Sequence, residues 1–184
     1  WTVEVALPLK DLMLNNTKKK AKEGALWRIN FSRVEWKVRV VDGKYVKEKG
    51  PEDNWVWASM GKVDMHMPDR WGYLQFATGD VGSKSVERDA QWGLREVAMA
   101  LYSAQKTFLG KEGRYATTAK ELAEYDEEGV LGGQCTSLPA ITTGGQGDMA
   151  WFRGTVLQGQ WEATVWNDRL LTVSKANPPP ATSR

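Results

Sequence analysis

The chain holds a single cysteine, Cys135, and a single histidine, His66. One cysteine excludes an intrachain disulfide framework and a cysteine zinc site. One histidine excludes a two-histidine metal pair and leaves no basis for a Ser-His or Cys-His dyad. A dominant charge is missing too, since Lys+Arg 25 stand against Asp+Glu 23, a formal +2 mixed along the chain. That is too little for the electrostatic footprint of a nucleic-acid binder, so no nucleic-acid partner is expected. No apolar run approaches the ~20 residues needed to cross a bilayer, so no membrane span is expected. Gly144-Gly145-Gln146-Gly147-Asp148 lacks the lysine and the strand-to-helix setting of a phosphate loop. The chain opens at Trp1 without an initiator Met, signal peptide or basic n-region, which places the expected true start upstream or removes it by processing. Its 184 residues suit one or two small domains.

What is plentiful is tryptophan. Trp27, Trp36, Trp55, Trp57 and Trp71 fall within residues 27–76, among short segments that read as strands. Trp27, Ile29 and Phe31 alternate with Arg28, Asn30 and Ser32, the pattern of a half-buried strand. Residues 36–41 continue the β pattern to Asp42-Gly43, a hairpin signal, and 44–47 form the returning arm. A polar loop over 49–54 delivers the strand Trp55-Val56-Trp57, and a last strand follows over 71–76. Upstream, residues 2–9 alternate as a strand ended by Pro8, and 15–24 read as a solvated loop. An indole offers a flat apolar face that matches the C–H face of a sugar ring and keeps an N–H for hydrogen bonding. Tryptophans interleaved with Arg33, Glu35, Asp53 and Asn54 therefore point to carbohydrate binding, with core filling as the other reading for each ring.

Three segments, WRINFSRVEW (27–36), EDNWVWASMG (52–61) and HMPDRWGYLQF (66–76), together with the opening WTVEVALPLKDL (1–12), resemble the C-terminal half of a family 9 carbohydrate-binding module. The likeness covers residues 1–78, in order and spacing. It implies a partial jelly-roll β-sandwich, sugar binding without catalysis, and a structural calcium ion. The family's N-terminal strands, which supply part of the sugar and metal contacts, have no counterpart before Trp1. In such modules an Asn and a Trp three residues later touch the sugar, and Asn54 and Trp57 match them here. Trp55 is the alternative platform, because alternation places it on the face of Trp57. Arg33 and Glu35 share a face with Phe31 if alternation is unbroken, so they either line a polar groove or are turned outward by a bulge. His66, just before Met67-Pro68, is expected to order a loop or touch the ligand. Trp71 reads as core.

Residues 79–85 read as a linker of small residues, after which the period changes. Ala90, Leu94, Val97, Leu101, Ala104 and Phe108 form one apolar stripe and predict a helix over 86–109, with Ser85 as N-cap and Gly110 and Gly113 as its stop. A short helix is expected over 118–125, capped by Thr117 or Thr118 with Glu121. Residues 129–147 read as Gly-rich and irregular. An antiparallel meander is expected over 150–174, turning at Asn167-Asp168, followed by an extended tail at Pro178-Pro179-Pro180. Trp92, Trp151, Trp161 and Trp166 read as packing residues. A long helix, then Gly113-Arg114-Tyr115-Ala116-Thr117, a short helix and a meander resembles the globular part of type IV pilin-like proteins. The charged, amphipathic start of the helix lacks a pilin's apolar half, so pilus assembly is not implied, and an ordinary α+β appendage over 86–184 is the other reading.

The expected class is mainly β with a C-terminal α+β segment. The expected function is non-catalytic binding of a plant or microbial glycan in an exported protein, whether extracellular, cell-surface or periplasmic. A structural or assembly module whose pilin-like segment docks to a protein partner is the alternative. A glycoside hydrolase fragment is a third, with Glu35 and Asp53 as the acids that sit among aromatics.

Overall fold

A computed structural model of the chain describes residues 2, 4–8, 22–61, 64–127, 129–133 and 136–176. The chain divides into two compact units, Trp1–Arg88 and Asp89–Arg184. Among the described residues ten strands, all in antiparallel ladders, and one long helix make the protein mainly β. Cys135 and the proline tail lie outside the described residues, as does most of the polar loop expected over 15–24.

The first unit is a set of two-stranded ladders. β1 (Leu26–Ile29) pairs with β6 (Gly72–Gln75), β2 (Ser32–Glu35) with β5 (Asp53–Val56), and β3 (Val38–Val41) with β4 (Lys44–Lys47). The last pair turns at Asp42-Gly43, where φ of 50° and 75° make the tight hairpin turn that only residues tolerant of the left-handed region allow. The expected strand over 27–31 is split at Asn30. Its side-chain oxygen accepts the Ala58 N–H at 3.0 Å and its amide donates to the Ala58 carbonyl at 3.0 Å, so a side chain replaces one rung of backbone ladder. β6 therefore pairs before this point and β5 after it. Trp27 packs edge-on against Phe76 with ring centroids 4.8 Å apart, the buried-side use expected of it. Trp71 is half-buried, its indole N–H donating to the Met65 carbonyl at 3.1 Å. Residues 2 and 4–8 join no ladder, a departure from the expected strand, since alternation alone makes no strand where no described partner strand runs alongside. Residues 79–85 stay with this unit, Thr78 and Lys84 both reaching Glu23 at 2.9 Å and 3.2 Å.

The second unit packs one helix on one sheet. α1 (Trp92–Glu112) lies on a four-stranded sheet of order β10-β9-β8-β7, with β7 at Ala140–Gly144, β8 at Trp151–Gln158, β9 at Trp161–Trp166 and β10 at Leu171–Lys175. Leu94, Val97, Leu101, Ala104 and Phe108 of the helix meet Phe152, Val156, Ala163 and Val165 of the sheet in a closed core. The expected stripe is thus the packed face from Leu94 onward, whereas Ala90 precedes the helix and is exposed. The helix starts six residues later than expected because Asp89, not Ser85, organises its entry. The Asp89 carboxylate accepts the Gln91 N–H at 3.0 Å and holds Arg95 at 3.1 Å, while its carbonyl accepts the Trp92 N–H. Val86 is 78% exposed, so the preceding turn has no apolar face to bury. At the other end the helix runs through Gly110 and stops at Gly113, whose φ of 70° gives the left-handed cap.

Two other expectations change in this unit. In place of a helix over 118–125 there are turns and a single 3-10 turn at Ala123–Tyr125. Its capping box forms nonetheless, with Thr118 N–H donating to Glu121 at 3.1 Å and Glu121 N–H donating to the Thr118 hydroxyl at 3.3 Å. The Gly-rich stretch also yields a strand, because β7 finds a ladder along β8 from Ala140↔Thr155 to Gly144↔Trp151. Trp161 packs against the core as expected, whereas Trp92 and Trp151 remain 47% and 41% exposed.

Candidate functional site

The β2–β5 ladder assembles most of the expected site. Register places Arg33 opposite Trp55, Glu35 opposite Asp53 and Val34 opposite Asn54. The ladder continues beyond β5, where the Trp57 N–H donates to the Phe31 carbonyl at 2.8 Å. Alternation then puts Phe31, Arg33 and Glu35 on the same face as Asp53, Trp55 and Trp57.

On that face Arg33 is the connector. Its guanidinium bonds the Glu35 carboxylate at 2.5 Å and stands 5.2 Å from the centre of the Trp55 ring. Both members of the ion pair are about half exposed, at 48% and 51%, so the charges remain hydrated and neither pays a burial penalty. The expectation of a charge pair set in a groove or turned away by a bulge resolves into a third arrangement, an open face where the pair lies beside an indole. Trp55 is 49% and Trp57 61% exposed.

Trp57 is positioned by its neighbours. Its ring meets Phe31 edge-on at 6.0 Å and lies against Gly72 of β6, where a Cβ would fall 2.5 Å from the ring. Gly72 is therefore the residue that lets the indole rest across the end of β6. The sequence pattern places Phe31 on the face of Arg33 and Glu35 but does not link it to Trp57, and it does not single out Gly72. Their role depends on strand pairing, and the only local signal was the Trp-Gly of the 66–76 segment.

Two expected site residues stand apart from this face. Asn54 shares the opposite face with Val34, so it cannot act on one ligand ring with Trp55 and Trp57 from the same side of the ladder. His66 is exposed in the turn before Pro68–Arg70, where its N–H donates to the Asp64 side chain at 2.8 Å. That contact is made by its backbone, and the residue is not part of the ladder. Among the described residues no three His, Cys, Asp or Glu side chains gather to hold a metal ion, so no residue is assigned to the calcium that the resemblance implies.

Chemically the face offers two indoles, one planar cation and two carboxylates within two strands. Indoles stack on apolar ring faces, while the guanidinium and carboxylates form planar bidentate bonds to paired hydroxyls. Comparison with known protein families, curated proteins and solved structures gives no match for the chain.

Proposed function

We propose that the first unit binds carbohydrate without cleaving it, in the manner of the family 9 modules that residues 1–78 resemble. The observation that carries this reading is the alignment of Trp55, Trp57, Arg33 and Glu35 on one exposed face of the β2–β5 ladder. A sugar ring laid on either indole would bring its hydroxyls toward the Arg33–Glu35 pair, which presents both donors and acceptors. Asn54 belongs to the other face, so in this reading the polar partner of Trp57 is Arg33. The ligand is a plant or microbial glycan, and an exported, cell-surface or periplasmic setting fits such a ligand.

Glu35 and Asp53 are directly opposite each other, which is the feature closest to a glycosidase pair. Glu35 is engaged by Arg33, and the face is open to water on the described side. A general acid in a glycosidase is instead held protonated by an apolar pocket. The test is binding of the full chain to a panel of soluble oligosaccharides and insoluble polysaccharides, followed by prolonged incubation with reducing-end detection. Retention on at least one glycan without new reducing ends supports the reading. Sustained product that disappears in both Glu35→Gln and Asp53→Asn overturns the non-catalytic part of it.

A second reading, a structural or assembly module, has one specific observation in its favour. Val34, Trp36, Val38, Val40, Tyr45 and Val56 are all exposed, from 36% to 82%. Register puts Val38 opposite Lys47 and Val40 opposite Tyr45, and Lys47 reaches the Trp36 ring at 2.9 Å. Val34 and Val56 lie on the face of the β2–β5 ladder away from Trp55, and Val38, Val40 and Tyr45 share one face of the β3–β4 ladder. Such faces suit a packing layer, and the first is compatible with sugar binding on the other side of its ladder.

A further inference from the structure

We infer that the second unit carries a saccharide-binding face of its own, on the side of its sheet turned away from α1, centred on Trp151, Arg153 and Trp166. The alternation of β8 sets this up. Phe152, Gly154 and Val156 point to the core and are buried, so Trp151, Arg153 and Thr155 point the other way. Register then aligns neighbours across the sheet. Arg153 sits between Thr142 of β7 and Trp166 of β9, and Thr155 sits opposite Thr164. Trp151 stands opposite Gly144, and its ring fills the space where a Gly144 Cβ would lie, 2.6 Å from the indole.

That placement lays Trp151 across the edge strand of the sheet while leaving it 41% exposed. Shielding the edge glycine accounts for where the ring lies. It leaves the solvent side of the indole available, and that is the surface a pyranose C–H face takes. Arg153 makes no hydrogen bond or ion pair to another described residue, so its guanidinium is available to hydroxyls between the two indoles. Thr155 and Thr164 hydroxyls are 3.4 Å apart and the Thr164 hydroxyl donates to Glu162 at 3.4 Å; Thr164 is buried, so exposed Thr142 and half-buried Thr155 are the hydroxyls this face presents.

Charge selects the ligand class. Arg153 and Glu162 give this face one charge of each sign. A polyanion such as single-stranded nucleic acid, which also stacks on aromatics, needs a run of cations that is missing here. Indoles, a planar donor and hydroxyls on an electrically balanced face match an uncharged polyol. Each unit sets an exposed indole against a glycine, Trp57 on Gly72 and Trp151 on Gly144, but this face rests on different residues and stands without the first site.

The test uses the full chain labelled with fluorotryptophan and read by fluorine NMR, with the Trp151 and Trp166 resonances identified by Phe substitution. Cellohexaose, xylohexaose, mannohexaose and chitohexaose are titrated separately, with an oligothymidylate as the alternative ligand. The expected result is a saturable shift of both resonances with at least one hexasaccharide. It persists in Trp57→Ala, and it is weakened about tenfold in a folded Arg153→Gln variant. Silence of both resonances with every saccharide up to its solubility limit overturns the proposal. So does a response to the oligothymidylate alone, or a saccharide response that disappears in Trp57→Ala. A silent Trp57 with responding Trp151 and Trp166 would instead count against the first site and leave this one standing.

Discussion

Gln105 is fully buried in the second unit, yet it leaves no polar atom unsatisfied. Its amide donates to the Ala116 carbonyl and its oxygen accepts the Ala116 N–H, both at 2.9 Å, so one side chain supplies both partners of a buried backbone unit. Replacing it with Leu would strand that N–H and C=O away from water, and we predict a loss of about 2–3 kcal/mol in chemical denaturation. A loss below about 0.5 kcal/mol would show that the turn relaxes freely. Glu121 makes the complementary case at the surface. The Arg114 guanidinium first, then the Thr117 amide, hold its carboxyl down to about 2 from an ordinary 4.5. A depressed carboxylate contributes stability that is complete above the unfolded value and lost as pH falls through the folded one. We therefore predict that the stability advantage of wild type over Glu121→Gln is flat above about pH 5 and shrinks as pH falls from about 4.5 toward 2. Denaturation midpoints across that range, with an NMR titration of the Glu121 carboxyl, check both the sign and the window. The Thr118–Glu121 spacing was legible in the sequence. Gln105 was not, because nothing local says that a helix glutamine will meet a backbone unit eleven residues on.

Elements were legible where the instruction was local. Asp42-Gly43 specifies its turn through backbone conformation alone, and the stripe from Leu94 to Phe108 specifies a packed helix face through its period. Legibility failed where pairing decided. β7 is short, with threonines and a glycine, and becomes a strand because β8 offers a ladder. The helix start moved because an Asp89 turn competes with a Ser85 cap, and both residues suit that role. At the candidate site, alternation already separates Asn54 from Trp55 and Trp57, whereas the partnership of Arg33 with Trp55 is a matter of register and waited for the structure. The contact between α1 and β8 has a similar long-range origin. Leu101 occupies the space over Gly154 that a Cβ would need. Gly154→Ala is predicted to push helix and sheet apart and cost about 1–3 kcal/mol in thermal or chemical unfolding, and an unchanged midpoint would show slack at this contact.

On the scale of the whole molecule the two units divide their burial unequally. Among the described residues Met60 is the single buried hydrophobic of the first unit, while the second has a continuous core from Leu94 to Val165. Isolated two-stranded ladders are marginal in water, and the first unit keeps Trp27, Trp71 and Phe76 half-buried while Trp55 and Trp57 stand on an exposed face. The central claim of the proposed function is that Trp57 serves a sugar. The most direct measurement is isothermal calorimetry of the full chain with the best-binding oligosaccharide, made in a Trp151→Ala background so that the second face is silent. The account predicts that adding Trp57→Ala weakens binding by about 1–3 kcal/mol while the circular dichroism of the chain is preserved. Unchanged affinity in that folded variant would contradict it.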